Sequence, residues 1–358
     1  FFVDCVIYLY GKVYFVNLPQ TAAVVPWCGY GGNIMPYPII TPAFYADLSD
    51  KTNPENEGVV YNVLVTPSSI EYVFPLNQDR VIKTLMNTPD VLQYKMTSLK
   101  PEHEAEYEKK GQEMIKQNPV LQNYWILKTL TMNILQNRNY VFEKRMLLLN
   151  FAYKTVQGMM DKSKGHLIPA FVGEFLKTPE HDEVIKYFES VKPNFAYSLC
   201  DGLSFLRTMP SNEALDKVRF TVFKNVGCDQ SMRDFKFDES KYIPMKKAYY
   251  EDFLKGREHY IEHIMVNYVW TYCMPYADFS IPLWDNFVFF NTLFNTIKVM
   301  LTCYTFDRED KDEAFLTAIK AFDTSLREIK GNVVKRIVDA NVKEGLATNG
   351  DMAILAMS

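Results

Sequence analysis

The spacing of apolar residues along the chain changes character near residue 100. Before that point the pattern is short and strand-like. The stretch FFVDCVIYLYGKVYFVNL is dense in β-branched and aromatic residues and is broken at Gly11-Lys12, which predicts a hairpin. Pro26, the glycines at 29, 31 and 32, and Pro36 and Pro38 mark a loop, and the polar run from Ala46 to Gly58 marks a second, exposed one. Val59 to Val65 and Ile70 to Phe74 read as further short strands. Residues 1–95 are therefore expected to form a small α+β or β-rich N-terminal lobe.

From Lys100 onward the signals are helical. Pro101 and Pro179 each suit a first helical position, the second with Thr178 as cap and Glu180 in the first turn. A further helix is expected to start at Ser211, in SNEALDKVRFTVFKNVG, and to end where Gly227 can supply a left-handed cap. In EAFLTAIKAFDTSLREIKG, Phe315, Ile319, Phe322, Leu326 and Ile329 alternate steps of four and three, so they share one helical stripe that predicts a core face, with Gly331 ending the helix. Residues 96–358 are expected to be a multi-helix domain, and the fold class mainly α.

One run, Ile281 to Phe306, is long enough to cross a bilayer. Asp285, Asn286, Asn291, Asn295 and Lys298 recur through it, and each would be costly in hydrocarbon. The pattern predicts a buried bundle helix and no membrane span.

Composition agrees with a globular chain. With 358 residues, 48% hydrophobic and 15% aromatic, it can bury one large core or two smaller ones. Its 39 basic and 43 acidic side chains leave a net charge of -4, which predicts no general affinity for nucleic acid or anionic membranes. Cysteines at 5, 28, 200, 228, 273 and 303 form no CxxC pair and read as reduced core thiols of a cytoplasmic protein. The opening residues have no basic region followed by a cleavage site, so no secretory leader is expected. No repeat is visible.

The first candidate for chemistry is HYIEH, residues 259–263, an H-x-x-E-H pattern. On a helix His259 and His263 lie one turn apart and could ligate zinc, with Glu262 polarising a bound water. A third ligand would have to come from a distant carboxylate such as Glu309, Glu313 or Glu328. The favoured reading is plainer: Glu258, His259, Glu262 and His263 form a solvated face opposite an apolar face of Tyr260, Ile261, Ile264 and Met265. No G-x-S-x-G elbow or phosphate-binding loop occurs, and CGYGGN at 28–33 reads as a turn, with Cys28 structural.

Several phrases together resemble the flagellin lysine-N-methylase family. They are LTMNILQNRNYVFEKRMLLLNFAYKTVQGM, NYVWTYCMPY, LWDNFVFFNTLFNTIKVML, DEAFLTAIKAFDTSLREI and the tail GDMAILAMS, in the family's order, covering about residues 117–358. IITPAFYADL, Ile39 to Leu48, is similar to the family's opening phrase. The resemblance implies methyl transfer from S-adenosylmethionine to lysine side chains of flagellin or another lysine-bearing protein. It also implies a bacterial, cytoplasmic setting and an iron–sulfur cluster held by closely spaced cysteines. No cysteine lies between Cys28 and Cys200, so no cluster ligand carries over to this chain, and no catalytic or donor-binding residue can be named from the resemblance.

Three functions follow as expectations: a flagellin-type lysine methyltransferase, a non-catalytic protein-binding module on the same helical scaffold, and a zinc hydrolase using His259, Glu262 and His263.

Overall fold

Every residue of the helix Leu283–Thr305 except Asp285 is buried, and seven of the other described helices pack on it. The computed structural model describes residues 76–92, 116, 122–228, 236–272, 274–278, 280–329 and 333–358. For Trp125, Thr178 to Glu180, Trp270 and six short strands it describes the backbone alone.

Thirteen α-helices occur among the described residues. They are α1 (Asp79–Met86), α2 (Tyr124–Leu135), α3 (Phe142–Asp161), α4 (Ile168–Phe175), α5 (Thr178–Phe188), α6 (Phe195–Thr208) and α7 (Glu213–Asn225). There follow α8 (Glu239–Ala248, continued by a π-turn at Tyr249–Phe253), α9 (Glu258–Thr271), α10 (Leu283–Thr305), α11 (Lys311–Glu328), α12 (Val333–Lys343) and α13 (Asn349–Met357). The fold is mainly helical, as the periodicity predicted.

Of the N-terminal region, strand backbones pair antiparallel as Val3–Leu9 with Lys12–Leu18, Ile39–Pro42 with Tyr94–Thr97, and Asn62–Thr66 with Ser69–Val73. The expectations placed on Gly11, on the loops at 26–38 and 46–58, on CGYGGN with Cys28, on Pro101 and on Gly331 lie outside the described residues.

Local sequence sets the helix ends. α5 starts with Thr178 and Pro179 as its first two residues, so the cap is Lys177, one position before the expected Thr178. At α7 the cap is Asn212, whose side chain accepts from the Leu215 N–H, while Ser211 bonds Asp216 in the first turn. The other end follows the prediction. Gly227 has φ +73, its N–H donates to the Lys224 carbonyl, and the Cys228 N–H reaches back to Phe223, closing the helix in a glycine-capped turn. The predicted stripe on α11 is also core: Phe315, Ile319, Phe322, Leu326 and Ile329 are all buried.

α10 packs on α3, α6, α7, α8, α11, α12 and α13. It is the one described helix long and apolar enough to cross a bilayer, and its apolar window is buried inside the chain. Its polar residues tie neighbours down instead of breaking the core. Asn286 Nδ2 donates to the carbonyls of Asp278 and Pro282, and Asn291 Nδ2 donates to that of Met352 on α13. Lys298 Nζ donates to the carbonyls of Leu355 and Ala356, both at 2.9 Å, so a buried amino group, its pKa pushed well down by burial, caps the last turn of α13. The first turn of α13 is closed by Thr348 and Asp351 in a capping box.

Candidate functional site

HYIEH is not a solvated face. Of the face expected to be solvated, Glu258 is exposed and His259 half-buried, but Glu262 is 1% and His263 0% exposed, so α9 is covered where those two stand. What covers it are two arginines from the phrases that resembled the methylase family. Arg138, in the turn after α2, donates to the Glu262 carboxylate through Nε at 3.0 and 3.1 Å and through a terminal nitrogen at 2.7 Å. Arg145, in the first turn of α3, donates to it at 2.6 Å and also reaches the carbonyls of Leu135 and Tyr140. Burial pushes the Glu262 carboxyl up, but hydrogen bonds and charge from both arginines outweigh it and hold the group below its usual range.

The histidines are anchors for α1. A His259 ring nitrogen lies 2.8 Å from the Met86 carbonyl, and His263 Nδ1 lies 3.0 Å from that of Leu85, at the open C-terminal end of that helix. Burial pushes the His263 pKa down to about 4, so the ring is neutral, donates from Nδ1, and turns its Nε2 lone pair to Arg138 at 3.5 Å. The atoms a zinc ion would need are thus engaged in packing. The charge on Glu262 is met by two guanidinium groups and is not poised to polarise a water.

A second site is a 410 Å³ cavity between α6 and α12, a size suited to a small molecule or a side chain. Phe205, Ile329, Val333 and Ile337 line it with buried apolar surface, while the exposed Arg207, Arg336 and Glu344 stand among its lining residues. Asp201 of α6 lines the cavity as well. Its Oδ2 accepts from Asn295 Nδ2 at 2.8 Å, and Asn295 is itself fixed by Ser198, which donates Oγ–H to Asn295 Oδ1 at 2.6 Å and receives an amide hydrogen on its carbonyl at 2.9 Å. Burial pushes the Asp201 carboxyl up to about 7, against the pull of the Asn295 hydrogen bond and the Lys298 charge. The neighbouring Gly202 lets this happen. A Cβ there would stand 3.0 Å from Val299 Cβ, so glycine allows α6 to settle against α10 and bring Asp201 to Asn295.

Sequence reasoning noted Asn295 and Lys298 only as interruptions of an apolar helix, and it passed over Asp201. The available signal was a carboxylate inside the run YSLCDGLSFL, which has no other charged residue. Glu309, Glu313 and Glu328, offered as third zinc ligands, stand outside the His259, Glu262 and His263 network, and no cluster of three or more metal-capable side chains exists among the described residues.

The family model for the FliB lysine N-methylase C-terminal domain matches residues 128–355. This chain belongs to the FliB lysine N-methylase family. Comparisons with curated proteins and with solved structures find no match. The FliB match takes in α3 to α12 and most of α2 and α13, and so includes both the Arg145–Glu262 network and the α6/α12 cavity.

The iron–sulfur cluster implied by the resemblance is not fitted by the described residues of this FliB-type domain. Cys228 and Cys303 are buried, and burial raises both thiol pKa values, which disfavours the thiolate a cluster requires. Cys200 is exposed, on the cavity wall.

Proposed function

We propose that this chain is a protein-lysine N-methyltransferase that acts on flagellin in the cytoplasm, with S-adenosylmethionine as the methyl donor. The observation that carries the reading is the family match over residues 128–355, the greater part of the helical body. The free thiols at Cys200, Cys228 and Cys303 are compatible with a reducing compartment.

Such a reaction sets one chemical requirement on the protein. A lysine ammonium has no lone pair, so the amine must lose its proton before it attacks the methyl carbon of a sulfonium. A protein meets this by shielding the amine from water or by offering a proton acceptor. The α6/α12 cavity supplies both kinds of group, an apolar lining and a carboxyl that titrates near neutrality. The test is direct. Purified full-length chain, with iron and sulfide supplied during reconstitution, is incubated with flagellin and methyl-labelled S-adenosylmethionine. Label on flagellin lysines, located by peptide mass spectrometry, supports the reading; unlabelled flagellin overturns it.

A further inference from the structure

We propose that the cavity between α6 and α12 is a lysine-binding site, in which Asp201, steadied by Asn295, receives the side-chain ammonium while Phe205 and Ile337 lie along its methylenes. The proposal rests on the methyltransferase reading for the identity of the amine, and on geometry for its place. The carboxylate is half-buried and held through one oxygen by the buried amide of Asn295, which is locked in turn by Ser198. A side chain with a charged tip and an apolar stem matches a wall of Phe205, Val333 and Ile337 that leads to such a carboxylate.

The arrangement of charges selects lysine over a zwitterionic amino acid. The arginines, Arg207 and Arg336, are exposed, whereas Asp201 is half-buried. An α-amino acid carries its ammonium and carboxylate on one carbon and would need both partners at one depth. A lysine residue carries its ammonium four methylenes from its backbone, which leaves the backbone and its neighbours among the arginines.

Within the site the chemistry balances. The Asp201 carboxylate takes a proton from the ammonium, giving a neutral amine and a carboxylic acid. The amine lone pair then forms an N–C bond to the methyl carbon of the sulfonium donor as the C–S bond breaks, its electron pair returning to sulfur. The product is a methylated ammonium and a neutral thioether.

The experiment uses the full chain and two small probes, N-acetyl-lysine methylamide and its norleucine counterpart, which keeps the stem and lacks the charge. Affinities are read by saturation-transfer difference NMR titration. The lysine probe is expected to bind at least about tenfold more tightly, as loss of a charge-assisted hydrogen bond implies. Asp201→Asn, which preserves shape and can still accept from Asn295, should erase that preference while norleucine binding stays the same. Ala340→Trp, a change on the exposed cavity wall that leaves Asp201 in place, should weaken both probes. Equal binding of the two probes, an undiminished preference in Asp201→Asn, or loss of S-adenosylmethionine binding alone in Ala340→Trp would overturn the proposal. The two readings separate cleanly. Lysine-probe binding that persists in a chain giving no methyl transfer supports the site and removes the reaction, whereas flagellin methylation undiminished in Asp201→Asn removes the site and keeps the reaction.

Discussion

Arg145 and Glu262 stand 117 residues apart in the chain and meet at 2.6 Å in its interior. Arg145 lies in the first turn of α3, donates to Glu262 on α9 and to the Leu135 carbonyl at the end of α2, and so ties three helices together. Arg138 completes it from the turn itself.

Removing the carboxylate would strand two guanidinium groups, one of them buried. Glu262→Gln is expected to destabilise the chain by about 3–5 kcal/mol, the range for breaking a buried ion pair from one side. The midpoint of urea unfolding measures it. The double replacement Arg145→Met with Glu262→Met should recover part of the loss, because no buried charge then lacks its partner; a double variant as unstable as the sum of the singles would refute this account.

His263 gives the fold a pH dependence with a defined sign. Its folded pKa is depressed to about 4 against a usual value of 6.5, so the stability it contributes is fully present above 6.5 and is lost as pH falls toward 4. At about 1.4 kcal/mol per pH unit that window amounts to about 3 kcal/mol. Unfolding free energies at pH 7 and pH 4.5 should show most of this difference, and His263→Asn, starting from lower stability, should flatten the slope. Glu262 loses its contribution at lower pH, because its depressed carboxyl keeps its charge below its ordinary 4.5.

Asp201 has the opposite sign. Its folded pKa is raised to about 7, so its contribution to stability is present below the ordinary 3.8 and is lost as pH rises through 7. Binding of a lysine probe needs the ionised form and should therefore strengthen as pH rises from 6 to 8. The groups that share its surroundings are Tyr197, Cys200 and Arg207 on its own helix, Lys298 on α10, Arg336 and Glu344 on the α12 side, and Asp351 beside Tyr197. A pH-independent affinity between 6 and 8 would show that Asp201 does not contact the ammonium.

Gly202 tests the packing of α6 against α10, and Gly158 on α3 is its control. Gly202→Ala places a methyl 3.0 Å from Val299 and should destabilise by about 1–3 kcal/mol, the usual cost of overpacking. Gly158→Ala on α3 meets nothing within 4 Å and should stabilise by about 0.5–1 kcal/mol, because alanine gives up less backbone entropy in a helix. Paired thermal melts give the two signs, and the same sign for both would contradict the close approach.

Lys298→Met would leave the carbonyls of Leu355 and Ala356 without their amino donor. Amide exchange along α13 is expected to quicken relative to α11, which does not depend on that cap. Uniform exchange rates in variant and parent would mean that Lys298 does not hold α13.

What could be read in the chain was whatever repeats at helical spacing or sits at a helix end. The Phe315 to Ile329 stripe is such a signal, because a face with a period of 3.6 must be buried whatever it meets. Gly227 is another, since a left-handed cap is a local property of the backbone. The rejection of a membrane span also followed from sequence, because Asn286, Asn291, Asn295 and Lys298 are costly in hydrocarbon in any fold. Family membership was legible for the same reason, resting on residues that pack.

The partners of the polar residues were not legible. Whether HYIEH faced water, metal or protein depended on Arg138 and Arg145, more than a hundred residues upstream, and amphipathic spacing on α9 carried no sign of them. Asp201 became a candidate for chemistry only when Gly202 let α6 approach α10 and set that carboxyl against Asn295. By itself the sequence determined a helical body of the lysine N-methylase family with a long buried central helix. Only the tertiary structure decided which of its polar residues serve the core and which line a cavity, because burial and charge at each position are set by residues that the chain brings together from far apart.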